Sequence, residues 1–238
     1  MSSDHVVPTG FQSIDQILNG GFHSKSLNII AARPGMGKTA FALQLAVNMT
    51  KNSGKTVCFL TLEMTTEQLN RRVKELIQKG EKLPESSILF VDSASITPNQ
   101  IRKKLSSIQD LGAVFLDYVQ LMDPNNGHVQ GIENSCMIIR ELKLIADDFG
   151  IPVIGLSQLR RTVEDRQDRH PALHDFLAKD AIEQYADTVL FLHRDAYYDY
   201  MADTSTAEII VSYNRYGNTD ILKFFWSDET LTFSEALK

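Results

Sequence analysis

The sequence predicts an α/β fold: a mostly parallel central sheet flanked by helices, with antiparallel strands at its C-terminal end. Three observations carry this. Short, continuously apolar runs alternate along the chain with amphipathic stretches. One of these runs feeds a glycine-rich turn that opens a helix. The last three β-branched and aromatic runs follow one another closely, with turn residues between them. Continuous apolar strands separated by helices indicate a parallel sheet buried on both faces, and closely spaced strands suggest antiparallel pairing.

The first strand is Leu27 to Ala32, which enters the turn Arg33-Pro34-Gly35-Met36-Gly37. Lys38 to Asn48 reads as the helix that follows, with Phe41, Leu43, Leu45 and Val47 as its apolar residues. Thr56 to Leu62 is again β-branched and apolar, and Thr66-Glu67-Gln68 opens a charged helix to Lys79. Ile88 to Val91, Ala113 to Leu116, Val153 to Leu156 and Val189 to Leu192 are further runs of strand length. Amphipathic stretches lie between them at Ile101 to Ile108 and Cys136 to Asp148. Ala207 to Tyr213, Ile221 to Trp226 and Leu231 to Phe233 supply the antiparallel edge. The polar run Asp123 to Gly131 and the charged run Arg160 to His170 read as exposed loops, where function tends to sit on such a scaffold.

With 238 residues, 43% of them hydrophobic, the chain suffices for one sizeable core and is expected to form a single domain over 1–238. No stretch approaches the ~20 apolar residues of a membrane span, and the first residues carry no apolar signal-peptide core. Cys58 and Cys136 lie in apolar-periodic segments without metal-type spacing. They are expected to be buried thiols in a reduced, cytoplasmic compartment. The six histidines are scattered without ligand spacing. A net charge of -6 argues against broad non-specific DNA binding and leaves room for a local basic groove.

The stretch "AARPGMGKTA" carries the chemistry. A phosphate-binding P-loop reads G-x-x-x-x-G-K-[ST], and Gly37, Lys38 and Thr39 fit its end, while Ala32 stands where the first glycine belongs. Gly35 and Gly37 let the backbone curl so that N–H groups over 33–40 face phosphate oxygens, and the helix starting near Lys38 adds its positive end. Lys38 would neutralise the β- and γ-phosphates of ATP and the Thr39 hydroxyl would ligate Mg²⁺. "VFLDYVQL" ends a strand in Asp117, placed to hold Mg²⁺ through water. "FLTLEM" ends another in Glu63, placed to polarise a water, and "VIGLSQL" ends a third in Ser157-Gln158, placed to sense the γ-phosphate. Polar groups at four strand ends, on the side where α/β proteins bind ligands, make this a nucleotide cradle rather than a glycine-rich helix cap.

"ARPGMGKTAFALQ", "LEM", "DYVQLM", "RELKLIA", "GLSQLRRTVEDRQD", "IEQYAD" and "HRDAYYD" closely resemble the C-terminal motor domain of DnaB-type replicative DNA helicases. Those are RecA-like P-loop NTPases, and the resemblance runs from Pro8-Thr9-Gly10-Phe11 to the last strand. It implies catalytic roles for Lys38, Glu63 and Gln158, Mg²⁺ ligation by Thr39 and Asp117, and a nucleotide loop of Arg33, Pro34, Gly35, Met36, Gly37, Lys38, Thr39 and Ala40. It also implies a ring of subunits with ATP at the interfaces and single-stranded DNA in the channel. In "YNRYGN", Arg215 matches the family's arginine that reaches a neighbour's γ-phosphate, but Tyr213 replaces the accompanying lysine.

The family's channel loop, Asp-Leu-Arg-Glu-Ser-Gly, is here "DFLAKD": Leu177 replaces the arginine, Ala178 the glutamate and Asp180 the glycine, leaving Lys179 as the cation. Only Met1 to Val7 precede the motor, so the family's N-terminal domain and linker helix are expected to be missing. These departures leave a second expectation beside the helicase motor, namely a helicase-like partner that binds ATP and modulates or caps a full-length ring.

Overall fold

The computed structural model describes residues 5–77, 83, 87–93, 96–122 and 131–236. The chain opens with β1 (Val6–Val7), α1 (Gln12–Ile17) and β2 (Phe22–His23), and β1 and β2 pair antiparallel. There follow β3 (Leu27–Ala32), α2 (Lys38–Ser53), β4 (Thr56–Thr61), α3 (Thr66–Leu76), β5 (Ile88–Asp92) and α4 (Pro98–Leu105). Then come β6 (Leu111–Asp117), α5 (Ile132–Phe149), β7 (Val153–Gln158), α6 (Lys179–Tyr185) and β8 (Thr188–His193). β9 (Thr206–Asn214), β10 (Asp220–Ser227) and β11 (Thr232–Glu235) close the chain.

Nine strands form one sheet in the order β11-β10-β9-β8-β3-β7-β6-β4-β5. Pairing is parallel from β8 to β5 and antiparallel among β8, β9, β10 and β11, as the apolar runs imply. Alternate residues of each strand enter opposite layers, because successive side chains of a strand point to opposite faces. Thus Ile30 and Ala32 of β3 join the layer packed by α1, α2 and α3, and Leu27, Ile29 and Ala31 join the layer packed by α4, α5 and α6.

Local signals explain the helix starts. Thr65 and Gln68 form a reciprocal capping box at α3, as do Thr97 and Gln100 at α4, where Pro98 occupies the first turn. Gly54 and Gly150 end α2 and α5 in the left-handed conformation. α2 differs from a surface helix. Its apolar residues recur at every second position and it is buried on nearly all sides, between the sheet and the returning β11.

The short helix α1 escaped the sequence reading, and a distant partner helps to make it. The first N–H groups of α1 are capped by Glu235: Gln12 N and Ser13 N donate to its carboxylate at 3.1 and 2.6 Å. Asp15 accepts from Thr9 N, Thr9 Oγ1 and Gly10 N, holding the entry to α1. The expected helix end at Lys79 and the loop over 123–130 lie outside the described residues. Of the expected buried thiols, Cys58 is buried, and burial pushes its thiol up to about 12. Cys136 is only half-buried, a correction to the expected burial: it packs against the margin of the layer under α5. No helix among the described residues is long and apolar enough to cross a membrane.

Phe41 joins three parts of the chain, stacking on Phe11 at 5.5 Å and meeting Phe233 edge-on at 5.2 Å while fully buried. Phe41→Ala should therefore cost about 3–5 kcal/mol of stability, read from the shift in urea denaturation.

Candidate nucleotide site

The strand order brings the four polar strand ends together. β3, β7, β6 and β4 are neighbours in the sheet, so their carboxyl ends form one rim. From that rim opens a cleft of about 660 Å³, lined by the loop after β3, Glu63, Met64, Gln68, Tyr118, Gln158 and the β10–β11 hairpin residues Trp226 and Leu231. A groove of similar size, about 670 Å³, lies between α1 and β10 and contains none of these strand ends.

The loop has the geometry its glycines suggest. Gly35 and Gly37 have φ of +80° and +91°, which side chains on L-residues resist. A Cβ on Gly37 would also come within 3.0 Å of the Phe233 and Trp226 rings. Ala32 ends β3, so the missing first glycine falls in strand geometry, where alanine fits. Met36 and Ala40 are buried, and Pro34 is exposed.

At the centre Asp117 is fully buried at the end of β6. Its Oδ2 accepts a 2.6 Å hydrogen bond from Thr39 Oγ1. Its Oδ1 has no hydrogen-bond donor and lies 3.5 Å from Lys38 Nζ, which sits 5.0 Å over the Tyr118 ring. A buried carboxylate oxygen without a donor, beside a hydroxyl, suits a hard cation that takes oxygen ligands and keeps several waters. No group of three or more His, Cys, Asp or Glu fit to hold a metal exists among the described residues. The donorless Asp117 oxygen and the Thr39 hydroxyl beside it fit an Mg²⁺ completed by phosphates and water. Burial, with the charges of Glu63 and Asp117, pushes the Tyr118 phenol above its ordinary value. Glu63 itself is exposed at the cleft wall.

Arg33 and Arg215, the two arginines expected to serve a nucleotide site, are each held by a carboxylate. Arg33 lines the cleft with its guanidinium tied on two sides: Nε pairs with Glu164 at 2.7 Å and Nη1 donates to the Leu159 carbonyl at 2.7 Å. Arg33 is only 7% exposed and tethers the loop to the segment after β7. Arg215 is not in the cleft. It follows β9, pairs with Asp187 at 3.2 Å and donates from Nη2 to the Ala186 carbonyl at 3.4 Å. Asp187 precedes β8, which runs parallel to β3, so Arg215 lies at the opposite end of the sheet, about 20 Å from the rim for a six-residue strand.

The sequence reading missed Gln120, in a 3₁₀ turn after β6. Its Nε2 donates to Ser157 Oγ and to the Gln158 carbonyl, both at 2.9 Å, and its Oε1 accepts from Gln158 N at 3.3 Å. Ser157 is thereby occupied, and Gln158 is the residue of the pair that faces the cleft. Gln120 stands three residues after Asp117, a proximity that was visible; its clamp on β7 required the strand order. Trp226 and Leu231 had no local signal. Two of the histidines scattered in sequence meet in space: His170 stacks on His193 at 4.3 Å and bridges Asp168 and Glu208.

A glycine-rich turn at the end of one parallel strand, a buried carboxylate two strands away and a polar strand end between them define a P-loop nucleotide-binding domain of RecA-like layout. Residues 6–79 and 70–235 match the model of the DnaB-like helicase C terminal domain. The chain belongs to that family. It is 36% identical to a probable plasmid replicative DNA helicase of Chlamydia psittaci and 36% identical to the replicative DNA helicase DnaC of Bacillus subtilis. Each match covers 89% of this chain and 52% of the relative, so the chain spans about half the length of those curated relatives. A solved ATPase domain superposes with a TM-score of 0.87 at 30% identity, covering 98% of this chain and 92% of that one. A DnaB-like replicative helicase, solved in a study of its interactions with primase, gives 0.84 at 30% identity over 98% of this chain and 64% of that chain.

Lys38 is the cation nearest a buried carboxylate, so its loss leaves Asp117 uncompensated. Lys38→Ala should lower stability by about 3 kcal/mol, and adding Asp117→Asn should recover most of it, both read by urea denaturation.

Proposed function

We propose that this chain is the ATP-hydrolysing motor of a replicative DNA helicase, acting on single-stranded DNA as one subunit of a ring. The observation that carries the reading is the meeting of Lys38, Thr39, Asp117, Glu63 and Gln158 around one cleft in a member of this family. Main-chain N–H groups over 35–40 and the first turn of α2 cradle the phosphates, and Lys38 neutralises the β- and γ-phosphates. Thr39, and Asp117 through water, would hold Mg²⁺, which would supply positive charge beside the β- and γ-phosphates. Glu63 takes a proton from the attacking water, and Gln158 hydrogen-bonds the γ-phosphate. Arg33 keeps the loop in shape through Glu164 and the Leu159 carbonyl.

Arg215 is too far from its own cleft to serve it, yet its side chain is 45% exposed while anchored by Asp187 and the Ala186 carbonyl. It completes the cleft of a neighbouring copy. Single-stranded DNA runs past 175–180, where Leu177 is half-buried, Lys179 pairs with Glu183 at 3.5 Å and Asp180 is exposed. That arrangement gives weak, salt-sensitive binding. No observation favours the ring-modulating alternative.

Glu63→Gln should retain nucleotide binding by calorimetry and lose turnover by at least about 100-fold. Wild-type turnover in that variant would place the catalytic base elsewhere. ATPase per chain should rise with protein concentration, and Arg215→Ala should abolish the rise; a concentration-independent rate in the unmodified chain would refute completion of the site in trans.

A further inference from the structure

The segment that leaves β7 is held at three successive residues. Gln158 faces the cleft and is clamped by Gln120. Leu159 is buried, donates its N–H to the Ala32 carbonyl at 3.2 Å and accepts from Arg33. Arg160 donates its N–H to the Asp175 carbonyl at 3.1 Å, and its guanidinium Nη2 donates to the Leu177 carbonyl at 3.3 Å. Arg166 adds a 2.9 Å ion pair to Asp175, which is 1% exposed. The loop after β7 and the segment 175–178 are therefore tied together at several points.

Position 177 presents no cation. The Leu177 side chain lines a small cavity with Phe176, Ile138 and Ile182, turned toward the layer under α5. Arg160 is exposed, and its guanidinium lies over the main chain at that same position. Guanidinium carries five N–H donors in a planar fork, and the Leu177 carbonyl takes one, so the rest can grip phosphate oxygens. Arg161, also exposed, follows it.

We infer that Arg160 supplies, through space, the DNA-phosphate contact that residue 177 does not make. This rests on the single-stranded DNA reading above. It places the phosphate contact two residues from Gln158, in a segment clamped on the β3 loop at one side and on 175–178 at the other. Occupancy of the DNA path and of the nucleotide cleft then act on one short piece of backbone.

The test is the salt dependence of binding to a labelled oligo-dT, followed by anisotropy from about 50 to 200 mM salt, with thermal melting to confirm the fold. Loss of one phosphate contact lowers the slope of log affinity against log salt by about 0.7 on a single strand. Arg160→Gln, whose amide can still bond the Leu177 carbonyl, should show that loss. Arg160→Lys should keep the slope, and Leu177→Arg added to Arg160→Gln should restore it. A merely structural arginine would not move the slope with charge in this way. An unchanged slope in Arg160→Gln, with normal binding by the unmodified chain, overturns the inference alone. Absence of salt-dependent binding by the unmodified chain overturns the DNA reading and the inference with it.

Discussion

Asp117 is a carboxylate with no access to solvent, and the rest of the site is arranged around that fact. Its charge is met by Lys38 and Thr39, both from the first turn of α2. A buried charge without a partner costs several kcal/mol, so the end of β6 and the start of α2 have to stay in register. The register is set by β7, which lies between β3 and β6 and pairs parallel with both. The Gly37 conformation turns the chain sharply enough for Lys38 to begin a helix directly above that strand. Packing of α2 between the sheet and β11 then holds the turn from the far side.

β7 is consequently more than a spacer. Its end carries Gln158 into the cleft, its next residue anchors Arg33, and the one after that reaches 175–178. Gln120 locks the same strand end to the turn after Asp117. Three segments widely separated in sequence thus share a single clamped stretch of backbone. Such a stretch has few independent ways to move, which is the physical requirement for one site to bias another.

The antiparallel extension has a separate consequence. Because β9 returns antiparallel beside β8, its end comes back to the amino end of the parallel strands, and Arg215 lands there. Asp187, buried and also bonded to Leu27 N and Lys143, fixes the guanidinium at that edge. The mixed sheet therefore separates the two halves of the proposed catalytic apparatus to opposite ends of one subunit.

Much of this architecture is determined locally. The apolar runs specify buried parallel strands because alternate residues enter two cores, and the run from Ala32 to Thr39 specifies a phosphate turn because only glycine takes those φ values cheaply. Asp117, Glu63 and Gln158 were recognisable since a polar residue ending an apolar strand has few other reasons to be there. Tertiary structure alone decided the rest. Glu235 caps α1, Glu164 holds Arg33, Gln120 grips β7 and Arg160 covers position 177. Each is a contact between segments brought together by the order of strands, and strand order depends on how whole layers bury their surfaces, which no local stretch of sequence encodes.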